Sequence, residues 1–554
     1  MKIRISYSFL LFSIILFSCS NSETIKIQKV ANTKNIPHLI KQEKASQLMV
    51  DDKPFLILGG ELGNSTFTSL ESMAPVWGKL KKMNINTILA PVYWELIEPK
   101  QGNFDFKLLD DLITEARAHN FKLIILWFGS WKNSMSSHAP SWIKTNYQKY
   151  PLAKSKEGVS QEILSPFSKE NLQADLKAFS ALMQHIKDVD STDRTIIMIQ
   201  AENEIGMLPS ARDYHSLANE KISKKIPKEF ADYLIENKQN LNPEFLNVWQ
   251  KNGFKTFGTW HEVFGKGEQT DEIFMAWYYA KFTNEIVKAG KEIYPLPMFV
   301  NAALNRPNAK PGEYPSAGPL PHLMAVWKAA GTSIDMFSPD FYFPNIKYWC
   351  DLYTRQNNPL FIPEHKFDNT VSAKALFTIG HYKSLGFSPF SIEQIPELDL
   401  LPKEEKLAKT YNVINQIHPI LHQNQNKVEG VLLNNENKKT VFTLGDYEFT
   451  ASHTYNLGWE ANSSSNNWEP SGAIIVQTKE NEFYYVGFGV SFTFKNKKNL
   501  NGKVGILKAE KGYFEGNQWK VYQHLNGDQT HQGRHIRSFL NDVNIQRFEL
   551  YTYE

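Results

Sequence analysis

Residues 196–206 read IIMIQAENEIG, and this stretch is the starting point for predicting the fold. An apolar run typical of a buried strand stops at Glu202, Asn203 and Glu204, and a glycine follows at Gly206. A buried charge is costly unless it is paired or has a task. We therefore expect a strand that delivers carboxylates to a functional edge of the fold.

Similar apolar runs recur over the first 400 residues and alternate with helix-like sequence. Continuous apolar strands alternating with helices predict a parallel sheet covered on both faces, and eight of them predict an α/β fold of the (β/α)8 TIM barrel type. In chain order, the runs are PFLILGG (54–60), INTILAPVYW (85–94), FKLIILWFG (121–129), TIIMIQAENE (195–204), LPMFVNAAL (296–304), IDMFSPDFY (334–342), PLFIPEHK (359–366) and GFSPFSIEQ (386–394). A doubly wound sheet is the alternative, but LGGELGNS (58–65) lacks the glycine spacing of a dinucleotide-binding turn.

The chain of 554 residues is too long for one ordinary core. We predict the barrel over residues 46–400 and a linker or helix over 401–425. Alternating runs broken by Asn and Gly turns then predict an antiparallel β-sandwich over 426–554. The long stretch between the fourth and fifth runs reads as helices, and we expect its TWHEVFG segment (259–265) to cap the barrel mouth.

The first residues, MKIRISYSFLLFSIILFSCSNSE, have the pattern of a secretory signal, with basic residues before an apolar run. The run ends in LFSC and so resembles the lipobox of bacterial lipoproteins. That resemblance implies a signal peptide over 1–18, lipidation of Cys19 and a polar tether over 19–45. The protein would be exported and lipid-anchored to the cell envelope, and Ser20 favours the outer membrane in a Gram-negative cell. An ordinary signal peptide or an uncleaved anchor is the alternative.

The net charge bears on nucleic-acid partners, and the cysteine count bears on disulfide bonds. The net charge is +3, and no Lys/Arg block indicates a nucleic-acid partner. We expect membrane contact through the lipid anchor only. Once Cys19 is lipidated, Cys350 is left without a disulfide partner, and we expect it to be a buried packing residue.

Two of the predicted strands end in glutamates. The fourth run ends at Glu202-Asn203-Glu204, and the seventh ends at Glu364. In a TIM barrel the reactive groups lie at the carboxyl ends of the strands. Two carboxylates facing each other across a cleft are what glycoside hydrolysis needs, one as acid and one as nucleophile. The acid must hold a proton near neutral pH, which requires a raised pKa.

The segment QAENEIG (200–206) resembles a motif of glycoside hydrolase family 35, the β-galactosidases, which belong to a large clan of retaining enzymes. This resemblance implies that Glu204 is the acid/base, that Asn203 holds the sugar 2-hydroxyl and that Glu364 is the nucleophile. A second segment, YWELIEPKQGNFDF (93–106), is similar to a motif that follows the second strand in families 35 and 42. The segment LNGDQTHQGRHIR (525–537) resembles an accessory β-domain of a bacterial branch of family 35.

The resemblance implies a retaining exo-β-galactosidase that removes terminal β-linked galactose by double displacement, without a cofactor. Its substrate would be an oligo- or polysaccharide, for example a plant side chain such as that of xyloglucan. One alternative is another clan member that acts on β-glucosides, β-xylosides or an internal polysaccharide bond. Another is an inactive surface glycan-binding lipoprotein, which the presence of both glutamates disfavours. The signal and the missing phosphate loop disfavour a cytosolic oxidoreductase.

Further polar residues at strand ends are candidates for the site. Clan members often carry a tyrosine after strand six that bonds the nucleophile, and Tyr342 has this position; the alternative is a packing tyrosine. Glu61, after strand one, would bind a hydroxyl pair or cap a turn. Glu393, after strand eight, is the rival nucleophile. We expect Glu202 to be structural and to point away from Glu204 into the barrel wall.

Aromatic residues at strand ends are candidates for stacking on a sugar, with ordinary core packing as the alternative. These residues are Tyr93, Trp94 and Trp127. Animal members of family 35 carry a sugar-binding glutamate after strand three, where this chain reads LWFGSWKNS (126–134) without a carboxylate. The residues expected to take over that part of the pocket are Trp131, Lys132 and Asn133.

A histidine cluster near the end of the chain is a candidate metal site. His531 and His535 are four residues apart, with His524 and Asp528 nearby. The stretch contains glycines and reads as loop, so helical spacing does not apply. We expect no metal, and the two-carboxylate mechanism requires none.

Overall fold

The computed structural model describes residues 35–41, 45–393, 399–499 and 501–554. The predicted signal peptide, with its lipidation site at Cys19, lies outside these residues. Within the range predicted as tether, His38–Lys41 forms a strand that pairs with Ser46–Val50. The folded body therefore includes part of that range.

A closed parallel barrel of eight strands forms the N-terminal part of the chain, as predicted. Each of the eight apolar runs supplies one strand, and the strands close in chain order, with the eighth pairing with the first. From first to eighth, the barrel strands are Ile57–Glu61, Thr87–Tyr93, Lys122–Lys132, Ile196–Asn203, Met298–Ala303, Met336–Phe341, Ile362–His365 and Gly386–Pro389.

The period of two along each strand separates the barrel interior from the layer of helices. In the third strand, Ile124, Leu126 and Phe128 face the interior, whereas Leu123, Ile125 and Trp127 face the helices. The antiparallel sheet of His38–Lys41, Ser46–Val50 and Lys53–Phe55 lies at the bottom of the barrel. Its Leu48 and Val50 pack into the interior cluster, so this sheet closes the end opposite the predicted carboxylates.

The helices lie around the barrel and in the insert between the fourth and fifth strands. The helix Lys169–Asp190 shows why they form there: Ser168 caps its first turn, and its buried residues recur every three or four positions. The α-helices are Leu70–Met73, Val76–Lys82, Trp94–Ile97, Lys107–Ala118, Ser141–Lys144, Lys169–Asp190, Ser216–Ile222, Lys228–Glu236, Pro243–Lys251, Trp260–Phe264, Glu268–Ile293, Met324–Ala330, Ile346–Tyr353, Val371–Tyr382 and Pro402–Gln423. A short antiparallel pair, Leu152–Lys154 with Ser160–Leu164, lies after the third strand.

The TWHEVFG segment starts the helix Trp260–Phe264 with a capping box between Thr259 and Glu262. The Trp260 ring packs against Phe230, Phe274 and Trp277 of the insert itself. This segment therefore builds a small aromatic core for the insert.

The predicted linker is the last helix of the barrel. Pro402–Gln423 is a continuous helix, and its Tyr411 hydroxyl donates to the carbonyl oxygens of Gly59 (3.0 Å) and Phe387 (2.8 Å). These two carbonyls belong to the first and eighth strands, so the helix covers the seam where the barrel closes.

The C-terminal part is an antiparallel β-domain of two packed sheets, as predicted. The strands of the six-stranded sheet, in spatial order, are Val428–Leu433, Ser471–Gln477, Glu482–Phe488, Asn544–Tyr553, Lys503–Glu515 and Gln518–His524. Those of the four-stranded sheet are Lys439–Leu444, Tyr447–His453, Val490–Asn496 and Ile536–Arg537. Alternate residues such as Phe449, Phe483 and Phe548 fill the space between the two sheets.

The β-domain packs directly on the barrel through the helix Val371–Tyr382. A Cβ atom on Gly380 would lie 2.7 Å from the Cα atom of Gly430, so the two backbones meet where neither residue has a side chain. Cys350 is fully buried, as expected for a packing residue. Within the described ranges, no helix combines the length and the apolar character needed to cross a membrane.

Candidate active site

The fourth strand places Glu204 at the barrel mouth through an unusual backbone. Glu202 and Glu204 have φ angles of 61° and 45°, in the left-handed region that residues other than glycine rarely adopt. Such conformations persist only when neighbouring groups hold them. Here the Glu204 N–H donates to Asn301 Oδ1 (3.0 Å), and the Ser134 N–H donates to the Glu204 carbonyl (3.1 Å). The turn lets the two glutamates point in different directions.

Glu202 points away from the mouth, as we expected. The N–H of Trp131 donates to its Oε2 (2.7 Å), and burial together with the neighbouring Asp175 carboxyl raises the pKa of Glu202 well above its ordinary value. Asp175 in turn receives the indole N–H of Trp127 (3.0 Å). Glu202 is therefore part of the wall between the barrel and its helices.

The seventh strand places Glu364 opposite Glu204. The hydroxyl of Tyr342, which follows the sixth strand, donates to Glu364 Oε1. The next residue, His365, holds the strand end, because its ring bonds the Lys366 carbonyl (2.6 Å) and Lys374 Nζ (3.1 Å). The Tyr342 contact that the resemblance implied is thus present.

The two predicted carboxylates come together with a third that sequence reasoning missed. Carboxylate oxygens of Glu204, Asp340 and Glu364 all lie within 4.8 Å of one another, and all three residues are buried, at 5%, 1% and 5% exposure. Asp340 lies on the sixth strand, two residues before Tyr342. Because alternate residues of a strand share a face, Tyr342 at the mouth was the signal that could have identified Asp340.

Asn301, on the fifth strand, was also missed, and it connects two parts of this cluster. Its Nδ2 donates to Asp340 Oδ2 (2.7 Å), and its Oδ1 accepts from the Glu204 backbone N–H (3.0 Å). A lone amide inside the apolar run LPMFVNAAL was its signal in the sequence.

One cation lies among these acids. Lys132, at the end of the third strand, lowers the pKa values of Glu61, Glu204 and Glu364 through its charge. Its ammonium group lies over the Phe128 ring, 5.1 Å from the ring centre. Lys132 thus partly balances the negative charge of the cluster.

Burial is the largest influence on the ionisation of the two predicted catalytic groups. It raises the pKa of Glu364 to about 7, assisted by the charge of Glu204 and opposed by Lys132 and the Tyr342 hydroxyl. Burial also raises the pKa of Glu204, against the effects of Lys132, Asp340 and the Asn133 amide, which donates to Glu204 Oε2. A raised pKa at Glu204 is what a general acid near neutral pH needs.

Glu61 ends the first strand inside the same cluster. It is almost fully buried, and burial, followed by the charge of Glu364, raises the pKa of Glu61 well above its ordinary value. Glu393, the rival nucleophile, instead binds the loop after the first strand, because its Oε1 accepts from the Gly63 N–H (2.7 Å) and the Thr66 hydroxyl. The structure therefore gives Glu393 a role in holding that loop.

Several buried polar atoms at the strand ends are without a hydrogen-bond partner. Buried polar groups are almost always satisfied, so each exception asks for an explanation. Among the residues that the structure describes, the unpartnered atoms near the mouth are Glu61 Oε1, Asn64 Oδ1, Ser134 Oγ, Asn203 Oδ1 and Nδ2, Asp340 Oδ1, Glu364 Oε2 and Glu393 Oε2. The hydroxyl groups of a bound ligand would satisfy several of these atoms.

The predicted sugar stacking of Trp94 and Trp127 is wrong, and so is the predicted place of Trp131 in the pocket. Trp94, Trp127 and Trp131 are fully buried outside the barrel interior. Each indole N–H is used within the protein: Trp94 donates to Glu98 Oε2 (2.9 Å), Trp127 to Asp175 and Trp131 to the Leu164 carbonyl (3.1 Å). Alternation places Phe128, and not Trp127, towards the interior.

Tyr93 is also unsuited to stacking on a sugar. It lies in the barrel interior at 3% exposure, and its hydroxyl donates to the Asn64 carbonyl (2.8 Å). Its ring packs edge-on against Phe128. Tyr93 therefore supports the loop after the first strand from below.

The histidine cluster near the C-terminus has arginine neighbours. His531 lies 3.1 Å from Arg534 Nη1, and burial together with the charge of Arg537 lowers the pKa of His535 to about 4. Two cationic neighbours oppose binding of a further cation at these rings.

Comparison with known proteins identifies two parts of the chain. Residues 47–272 match the family model described as glycosyl hydrolases family 35, which agrees with the predicted resemblance. Residues 407–537 match a domain of unknown function, DUF5597, and this match covers most of the predicted accessory domain. The family 35 match includes Glu61, Asn203 and Glu204, whereas Glu364 lies beyond it. No curated protein matches the chain.

Solved structures that resemble the chain include two β-galactosidases and one β-amylase. The β-galactosidase of the psychrophilic Marinomonas ef1 has 13% identity and a TM-score of 0.47, over 66% of this chain and 60% of that one. The β-galactosidase of Bacillus circulans sp. alkalophilus has 15% identity and a TM-score of 0.45, over 65% and 56%. The catalytic domain of the Paenibacillus polymyxa β-amylase has 13% identity and a TM-score of 0.45, over 64% and 97%. The chain spans less than two thirds of the length of the two β-galactosidases.

Proposed function

From the match of residues 47–272 to glycosyl hydrolases family 35, we propose that this protein is a retaining exo-β-galactosidase. It would remove terminal β-linked galactose from oligo- or polysaccharides by double displacement.

The observation that carries the proposal is the approach of Glu204 and Glu364 across the mouth. Their nearest oxygens lie within 4.8 Å. Retaining glycosidases hold their two carboxyl groups about 5–5.5 Å apart, whereas inverting enzymes need about 6.5–9.5 Å to admit a water molecule. The short separation supports direct attack by one carboxylate on the sugar.

Glu204, Glu364 and Tyr342 have different parts in the proposed reaction. Glu364 attacks the anomeric carbon while Glu204 gives its proton to the departing oxygen, so the C1–O bond to the aglycone breaks and a glycosyl ester forms. Glu204 then takes a proton from a water molecule, which attacks C1 and releases both galactose and Glu364. The Tyr342 hydroxyl stabilises the ionised form of Glu364 before attack.

The unpartnered polar atoms give the proposed sugar contacts. Both ends of the buried Asn203 amide are free of partners in the described part of the chain, which suits a contact with the 2-hydroxyl. Glu61 Oε1 is a further acceptor for a hydroxyl. Because the acids outnumber Lys132, we expect a neutral sugar here and not a uronic acid.

The location and the natural substrate remain proposals from the sequence. After removal of the signal peptide over 1–18, Cys19 would carry the lipid that anchors the protein to the cell envelope. A plant side chain such as that of xyloglucan would be a suitable substrate for an anchored exo-enzyme.

The test is hydrolysis of nitrophenyl β- and α-glycosides by residues 25–554. We expect the β-galactoside to be cleaved fastest. Glu204→Gln and Glu364→Gln should each lose about a hundredfold to ten-thousandfold in kcat or more while staying folded. Glu115→Gln, on the surface helix Lys107–Ala118, is the control that should keep full activity. Cleavage of another β-glycoside in preference would contradict the galactose assignment, and activity in the Glu364→Gln variant would contradict the mechanism.

A further inference from the structure

The third carboxylate of the cluster, Asp340, has no part in the two-carboxylate mechanism. It lies on the sixth strand, where Met336 packs in the barrel interior, and the period of two directs Ser338 and Asp340 inward as well. Its carboxylate lies within 4.8 Å of those of both Glu204 and Glu364. A group this close to the acid/base affects its proton.

Among the described residues, one of the two carboxylate oxygens of Asp340 has no hydrogen-bond donor. Asn301 Nδ2 donates to Asp340 Oδ2 (2.7 Å), but in the described ranges no N–H or O–H group donates to Oδ1. A buried acceptor without a donor is unfavourable, and two neighbouring carboxylates in a buried site do not both ionise while a third, Glu364, is also charged. One proton held between Asp340 and Glu204 removes both problems.

Asn301 fixes the relative position of these two groups. The same amide that donates to Asp340 accepts from the backbone N–H of Glu204, where the chain adopts its left-handed φ. Asp340 and Glu204 are therefore held together by one side chain from the strand between them.

We infer that Asp340 is a positioning residue for the acid/base, an inference that rests on the proposed function. The carboxyl group of Asp340 shares one proton with the carboxyl group of Glu204. This proton stays next to the departing oxygen at neutral pH because the pair holds it. Burial and the charges of Glu364 and Glu204 raise the pKa of Asp340 well above its ordinary value, which agrees with a pair that retains a proton.

The charges balance through the reaction. Before attack, the Asp340–Glu204 pair carries one negative charge and Glu364 carries another. When Glu364 forms the ester it becomes neutral, and the proton leaves Glu204 for the aglycone oxygen, so the pair carries two. Hydrolysis of the ester returns a proton from water to the pair and restores the charge of Glu364. The total stays constant, with Lys132 nearby throughout.

The test compares leaving groups in Asp340→Asn. A poor leaving group such as phenol needs the proton, whereas dinitrophenol leaves without it. We expect kcat/KM for phenyl β-galactoside to fall about a hundredfold or more, and that for the dinitrophenyl galactoside to fall less than about tenfold. An amide donates to Glu204 and favours its ionised form, so the alkaline limb of the pH profile should move to lower pH.

Ser338→Ala is the matched control. Ser338 lies on the same strand, and its buried hydroxyl has no partner among the described residues, so its removal should leave both rates and the pH profile unchanged. Equal losses for both leaving groups in Asp340→Asn, with an unmoved alkaline limb, would overturn the inference and leave Asp340 a structural role. If Asp340→Asn does not fold, Asn301→Ala should show the same leaving-group pattern more weakly.

Infrared spectroscopy detects the shared proton without any turnover of substrate. The wild type minus Asp340→Asn difference spectrum at neutral pH should contain the C=O band of a protonated buried carboxyl, and the Ser338→Ala difference should not. Absence of this band would overturn the inference even for an active enzyme. A wild type that shows the band but cleaves no β-galactoside would instead contradict the proposed function, so the two failures are distinguishable.

Discussion

At the scale of single residues, the ionisation of Glu364 is set by opposing neighbours. Burial and the charge of Glu204 raise its pKa to about 7, while Lys132 and Tyr342 lower it. A nucleophile must be ionised, and the fraction ionised falls as the pH drops through the pKa. We therefore expect the acid limb of kcat/KM near neutral pH, above the ordinary range of a carboxylate.

Tyr342→Phe tests this balance. Loss of a hydrogen bond to a charged group costs about 1.5–3 kcal/mol, so kcat/KM at neutral pH should fall about tenfold to hundredfold. The pKa of Glu364 rises when its donor is lost, so the acid limb should move to higher pH. The measurement is the pH dependence of kcat/KM.

Tyr348→Phe is the control for this change, because Tyr348 is half-exposed on the helix that follows. It should leave the profile where it is. An acid limb that stays in place in Tyr342→Phe would show that the tyrosine does not stabilise the ionised form of Glu364.

The sequence predicted Glu204 and Glu364 but not the two residues that connect them to the rest of the site, Asp340 and Asn301. Glu204 and Glu364 stand out because each ends an apolar run and is followed by polar residues. Asp340 and Asn301 lie inside strands, where a polar residue is stable only with a partner from another strand. That partner is a fact of tertiary structure, and a single sequence does not give it.

At the scale of elements, the alternation of inward and outward side chains along each strand was predictable. Which of two neighbouring residues faces the barrel interior was not. The run LWFG contains two aromatic residues in succession, and only one of them faces the interior. Trp127 faces the helices because its indole N–H finds Asp175 on the helix Lys169–Asp190, which leaves Phe128 inside. The choice between neighbours depended on a donor–acceptor pair separated by 48 positions.

The helix Val371–Tyr382 gives a prediction about packing. A methyl group on Gly380 would meet the backbone of Gly430 at 2.7 Å, and backbone atoms of two packed elements do not move aside easily. We expect Gly380→Ala to lower the free energy of unfolding by about 1–3 kcal/mol, as overpacking does. Urea unfolding measures this change.

Gly78→Ala is the matched control within another helix. Apart from the adjacent residues and the backbone of its own helix, no described residue has a heavy atom within 4 Å of a Cβ built on Gly78, and alanine is the better helix former. Its substitution should raise the stability by about 0.5–1 kcal/mol. A Gly380→Ala variant that is as stable as the wild type, or more stable, would contradict the close contact between the barrel helix and the β-domain.

At the scale of the whole molecule, the two parts of the chain share one hydrophobic core. A single cluster of buried residues contains barrel residues such as Leu376 and Tyr411 and β-domain residues such as Ile474, Tyr484 and Ile545. The sequence predicted the barrel, the β-domain and their order. It did not predict that 402–423 is the last barrel helix or how the two parts dock, because both depend on contacts between distant segments.

This shared core predicts that the barrel and the β-domain unfold together. Burial of a large apolar surface between two units makes separate unfolding costly. We expect one calorimetric transition, with loss of activity and loss of near-ultraviolet circular dichroism at the same temperature. Two separate transitions would show that the β-domain is an independent unit joined by a weak contact.

The central claim is that Glu364 attacks the sugar across the mouth from Glu204. The most direct measurement is to trap the covalent intermediate with a fluorinated galactosyl fluoride and to locate the label by peptide mass spectrometry. The account predicts one label per chain, attached to Glu364, and a label that accumulates further in Glu204→Gln when the leaving group needs no proton. A label on Glu393 or on Glu61, or no covalent species in an enzyme that is turning over, would contradict it.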